Sequence, residues 1–158
     1  MTDLNETTND ESREEKSGRN DCLIMLREKP EIFLHHFDCK RTICEEFNID
    51  INTLDKCHVY LAYYHIGEFG CDSSAFVLYE DEAGRLFEVH GGHCSCHGLD
   101  SQSYNGEPHS QWEPEEAAVP ALKHRLVNGS LGDVGGYDDE GFTKESKMVV
   151  DYLESIAT

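Results

Sequence analysis

The sequence is short of basic residues: 13 lysines and arginines stand against 32 aspartates and glutamates, for a formal net charge of -19. Nucleic-acid binding by phosphate neutralisation needs clustered cations that displace counterions, so direct binding to DNA or RNA is disfavoured. Long apolar runs are missing too, and nothing approaches the roughly 18 residues a membrane span requires. Residues 1–20, MTDLNETTNDESREEKSGRN, are polar throughout and hold no apolar segment of the kind a secretory signal needs. The chain is therefore expected in a reducing cytosol, away from the membrane. Also absent are C-x-x-C, H-E-x-x-H, the H-x-E and P-C-x-x-C pair of zinc deaminases, the Walker phosphate loop and G-x-G-x-x-G.

What is present fits one domain. A length of 158 residues with 38% hydrophobic residues supplies a single modest core. Residues 1–19 hold almost no apolar side chains and read as a disordered acidic and polar tail, with 20–158 forming one α+β domain. Residues 1–20 carry six acids and three bases, so -16 of the -19 belongs to the remainder. Two readings of that charge compete: solubility, or a surface that docks on a basic patch of a partner.

The hydrophobic pattern changes period along the chain. "CLIMLREK" (22–29) and "EIFLHHF" (31–37) read as short helical segments on either side of Pro30, and "CKRTICEEFNI" (39–49) as a third, with Ile43, Cys44 and Phe47 on one face. His35 and His36 are expected partly buried and hydrogen-bonded there, and Cys22, Cys39 and Cys44 as small core residues. "CHVYLAYYHI" (57–66), "SAFVLYED" (74–81) and "RLFEVH" (85–90) read as strands, the last two joined in a hairpin with Gly84 in a left-handed position. Pro114 in "WEPEEAAV" marks a helix N-terminus, and "PALKHRLVNG" restarts at Pro120, with Leu122 and Leu126 on one face and Gly129 as a cap. A final amphipathic helix carries Phe142, Met148 or Val149, Tyr152 and Ile156. The predicted fold is α+β: a small antiparallel sheet of about three strands flanked by N-terminal and C-terminal helices.

One stretch concentrates reactive side chains. "HGGHCSCHG" places His90, His93, Cys94, Cys96 and His97 together at the end of a strand, with Gly91 and Gly92 allowing a tight path around an ion. Seven cysteines, an odd count, without a signal segment point to thiols that are reduced or on metal. Zinc takes four ligands from thiolate and imidazole, and Cys94 with Cys96 plus one or two of His93, His90 and His97 can supply them. Thiol catalysis by Cys94 or Cys96 is the alternative, with His109, His90 or His65 as the base. A packed, hydrogen-bonded end of a strand is the third reading. Asp138, Asp139 and Glu140 lack the ligand spacing of a calcium loop and read as solvated.

From 74 to 126 the sequence resembles a family of small uncharacterised proteins encoded by tailed bacteriophages. Their pattern runs from a strand ending in Glu-Val through a Gly and a small polar residue to His-Cys-Ser-Cys-Tyr-Gly-Leu, and then to Gln-Trp-Glu-Pro-Glu. It falls on Glu88, Val89, His93, Cys94, Ser95, Cys96, Gly98, Leu99, Gln111, Trp112, Glu113, Pro114 and Glu115, about a third of the chain. This chain departs from it at His97, where the pattern has Tyr, at His90, where Asn is common, and in an inserted "DSQSYNGEPHS" that contains His109. The resemblance thus implies a site centred on His93, Cys94 and Cys96, with Trp112, Glu113 and Glu115 as motif or interaction residues, and a setting in the cytoplasm of an infected bacterium. It implies no reaction.

Three functions follow as expectations. The first is an accessory protein that binds and modulates a host protein, as an inhibitor of a host enzyme or of host defence, through an acidic docking surface. The second is a small zinc- or thiol-dependent enzyme centred on His93, Cys94 and Cys96. The third is a small-ligand or nucleotide-sequestering protein with Tyr60, Tyr63, Tyr64 and Phe76 lining a pocket.

Overall fold

The computed structural model describes residues 28–67, 73–93, 98–100, 102–104, 107–133 and 141–157, with 102–104 and 107–109 entering as backbone strands. The expected tail, most of the first helical segment and the acidic run at 138–140 lie outside the described residues. The fold is α+β, built on a five-stranded mixed sheet with three helices among the described residues.

Strands β1 (Ile32–His35), β2 (His58–Ile66), β3 (Ser73–Glu80), β4 (Leu86–Gly91) and β7 (Glu115–Glu116) lie side by side in that order. β1 runs parallel to β2, and helix α1 (Lys40–Phe47) makes the crossover that parallel pairing requires. The other neighbours are antiparallel. β5 (Gln102–Tyr104) and β6 (Glu107–His109) form a separate two-stranded hairpin.

The β-branched and aromatic content of β2 and β3 suits central strands, and both are buried along most of their length. One face packs against α1: Val59, Ala62, Tyr64, Val77, Tyr79 and Val89 meet Ile43, Cys44 and Phe47. The other packs against α2 (Val119–Val127) and α3 (Thr143–Ala157), where Leu61, Tyr63, Phe76 and Leu78 meet Leu122, Val149, Val150 and Leu153. Strict alternation would put Tyr60 and Leu61 on opposite faces. The register shift between Val59 and Leu61 inserts one residue, and both side chains join the second cluster.

The β3–β4 connection matches its expectation. Gly84 takes φ +83°, and the Asp81 carboxylate accepts the N–H groups of Ala83 (3.0 Å) and Arg85 (2.8 Å). The helix from Pro120 also holds, starting one residue earlier at Val119, with Gly129 at φ +76° behind it.

Four expectations are corrected. The sheet has five strands, not about three, and is mixed. "EIFLHHF" contributes β1 instead of a helix, because pairing with Leu61–Tyr64 of β2 outweighs its local character. His35, His36 and Cys39 are accordingly exposed, while Cys44 is fully buried. Glu115 and Glu116 do not open a helix; they pair with Glu88 and Phe87 as an edge strand. In α3 the inward face is Ser146, Val149, Val150 and Leu153, leaving Met148 and Ile156 more than half exposed. Ser146 can be buried there because its hydroxyl donates to the Phe142 carbonyl at 2.8 Å.

Candidate functional site

The C-terminal ends of β1, β2 and β4 and the N-terminal end of β3 meet at one end of the sheet, because β1 runs with β2 while β3 runs against its neighbours. His35, His36, His65, His90 and His93 all stand at this end. Sequence reasoning tied His90, His93 and, as a base for a cysteine, His65 to one site, and left His35 and His36 out of it.

His93 is held two residues beyond β4. Its N–H donates to the Ser73 hydroxyl at 2.8 Å, and its carbonyl accepts the Ser73 N–H at 3.1 Å. Its ring Nε2 shares a hydrogen bond with the Tyr64 hydroxyl, the ring centroids lying 5.7 Å apart. Burial, together with the Glu46 and Asp100 charges, pushes the Tyr64 hydroxyl up to about 12. It therefore stays protonated at neutral pH and can donate to Nε2 or accept from it. A metal on His93 would use Nδ1, with the Nε2 proton directed at the Tyr64 oxygen, the outer partner that metal-bound histidines usually have.

Cys94, Cys96 and His97 lie outside the described residues, but Gly92 and Gly98 on either side of them are described, and one side chain joins these two rims. The Gln111 Oε1 accepts the Gly92 N–H at 3.0 Å, and its Nε2 donates to the Gly98 carbonyl at 3.3 Å. The Gln111 N–H also donates to the Leu99 carbonyl at 3.1 Å. Gln111 is 8% exposed, so these bonds are sheltered from water. The two glycines answer to packing. A Cβ at Gly91 would stand 2.9 Å from Leu99 Cδ2 and 3.2 Å from Phe47, and one at Gly92 would stand 3.0 Å from the Ser73 carbonyl oxygen.

His90 is separated from His93. It lies on the α2 side of the sheet, where its Nε2 meets Glu88 Oε1 at 2.8 Å, while Arg125 of α2 reaches Glu88 Oε2 at 2.5 Å. Glu88 is 7% exposed. Burial pushes its carboxyl up, and the His90 and Arg125 hydrogen bonds with the Arg125 charge more than reverse this, leaving it below the ordinary carboxylate range. The Arg125 cation also offsets the cross-strand pairing of Glu88 with Glu115, two like charges face to face. His109 is a backbone position of β6. Among the described residues no three His, Cys, Asp or Glu side chains are grouped to hold a metal ion.

The motif residues divide between core and surface. Trp112 packs against Phe47 (5.2 Å between rings) and stacks on Tyr79 (5.8 Å), so it closes the α1 core. Glu113 and Glu115 are exposed, and with His90 and Gln111 they line a cavity of about 170 Å³. Glu116 continues the acidic edge. A cavity with two carboxylates and an imidazole suits a cation, including the end of a partner's Lys or Arg side chain.

Tyr60, Tyr63, Tyr64 and Phe76, expected to line a ligand pocket, are at most 4% exposed and fill the two cores instead. Burial raises the thiols of Cys44 and Cys57, which makes them poor nucleophiles. Sequence reasoning did not single out Ser73 or Arg125, took Gln111 only as part of the Gln-Trp-Glu-Pro-Glu pattern, and gave Tyr64 a pocket role in place of a bond to His93. The signal for Gln111 was its place directly before the tryptophan; for the others no local pattern exists. No helix among the described residues is long and apolar enough to cross a membrane. No protein-family model, curated protein or solved structure matches the chain.

Proposed function

We propose that this chain is a phage-encoded accessory protein that acts in the cytoplasm of the infected host by binding a host protein and inhibiting it. The observation that carries the reading is the cavity lined by His90, Gln111, Glu113 and Glu115, set beside the acidic edge strand Glu115–Glu116. A basic side chain of the partner seats there, and the net charge of -19 steers encounter with a positive surface. Full-length protein on beads should retain one specific host protein at low salt, and both high salt and the combined Glu113→Gln, Glu115→Gln, Glu116→Gln change should weaken retention about tenfold. No retained protein at low salt, or equal retention by the variant, contradicts the reading.

A second reading is a zinc- or thiol-dependent enzyme at His93, Cys94 and Cys96. The clasp of Gln111 and the fixing of His93 by Ser73 and Tyr64 favour it, since a reactive centre needs positioned rims. Metal analysis of the purified protein alongside a Cys94→Ser, Cys96→Ser variant tests it. Stoichiometric metal lost in the variant supports the zinc form; no metal in the parent and no stability loss in the variant removes it.

A further inference from the structure

We propose that His35 and His65 form a two-imidazole site for a tetrahedral divalent cation of the zinc class, separate from His93 and the cysteines. The two side chains come from neighbouring parallel strands at the histidine-rich end of the sheet. Their Nδ1 atoms share a hydrogen bond at 3.4 Å, with ring centroids 5.3 Å apart. Two nitrogens bound at about 2.05 Å to a tetrahedral ion stand about 3.3 Å apart, whereas the right angle of an octahedral site brings them to about 2.9 Å. The observed separation matches the tetrahedral case before any ion is present.

Two further observations concern how the pair is held. His35 has φ +57°, a left-handed backbone that is uncommon for a residue other than glycine and that turns the chain at the end of β1. The buried Phe142, just before α3, packs edge-on against both rings, 4.8 Å from His35 and 6.4 Å from His65. The backbone and a core aromatic thus preset the two imidazoles, which lowers the ordering cost of binding. Water completes the coordination, so the ion exchanges readily and acts as a staple between the edge strand and its neighbour.

The test is a ZnCl2 titration of the full-length chain followed by the side-chain 15N resonances of its histidines. The His35 and His65 signals are expected to move together and saturate at one equivalent, in a step distinct from any change at His93. In His65→Gln the His35 shift should require at least about tenfold more zinc, as expected when one of two ligands is lost. His35→Gln, at an exposed position, is the parallel variant, so a folding defect in one leaves the other decisive. Unmoved His35 and His65 signals, or a His35 response that survives unchanged in His65→Gln, would overturn the site. A response at His93 alone would support the cysteine centre and still refute this pair.

Discussion

The two ends of the sheet are built on different principles. At the hairpin end, Asp81, Ala83, Gly84 and Arg85 satisfy one another within five residues, through two backbone N–H bonds to the Asp81 carboxylate and its ion pair with Arg85 at 2.8 Å. At the other end, the loop end, bonds among the described residues reach across the sequence: Ser73 to His93, Tyr64 to His93, Gln111 to Gly92 and Gly98, Arg125 to Glu88. Local closure produces a turn that any β-hairpin can use. Closure at a distance makes the loop end depend on the whole domain, and it is there that histidines and carboxylates converge.

Breaking the contrast at its strongest point should give the largest effect. Arg125→Ala leaves the Glu88 carboxylate nine-tenths buried without its cation and should cost about 3 kcal/mol in denaturant unfolding. Arg85→Ala removes an exposed partner of Asp81 and should cost at most about 0.5 kcal/mol. Equal costs would erase the distinction. Acid should read the same network. The Glu88 carboxyl lies lower in the folded than in the unfolded chain, so its stabilisation is complete above the unfolded value of about 4.3 and is lost as pH falls through the folded value. Arg125→Ala should flatten that acid-side loss in unfolding measured against pH.

Gln111→Ala comes next, at about 2 kcal/mol, because it removes the side-chain bonds to the Gly92 N–H and the Gly98 carbonyl. Faster labelling of Cys94 and Cys96 by a thiol reagent should accompany it, since the loop loses the bridge between its rims. Labelling at the parent rate would show that the clasp does not hold the loop.

The glycines give the smallest and most diagnostic pair. Gly84→Ala should cost about 1 kcal/mol through its positive φ, with Gly84→Asn recovering most of it. Gly91→Ala should cost about 1–2 kcal/mol through contact with Leu99 and Phe47, and Asn should do worse there. Opposite responses to Asn separate a backbone requirement from a packing one.

The same contrast explains what was legible in the sequence. The hairpin was readable because Gly84 between two alternating strands is a local signal. β2, β3, β4 and the helix from Pro120 were readable for the same reason. β1 was misread because "EIFLHHF" carries no strong strand period, and only its parallel partner settles its state. Glu115–Glu116 was misread because acids after Pro114 imitate a helix start, while the free edge of β4 recruits them as a strand. At the site, the sequence grouped His90 with His93, although its place opposite Phe76 in β4 and its bond to Glu88 put His90 on the other side of the sheet. It took Trp112 as a motif or interaction residue, while Phe47 and Tyr79, distant in sequence, claim it for the core.

The central claim is that the loop end, not the hairpin end, is where this protein meets its partner. Placing a photo-reactive residue at the exposed position of Pro114, between the cavity carboxylates Glu113 and Glu115, and separately at the exposed position of Glu82, and irradiating each full-length protein in host lysate tests it directly. The expected result is one specific host adduct from position 114 that high salt abolishes, and none from position 82. An adduct from position 82 alone, equal adducts from both, or none from either would contradict it.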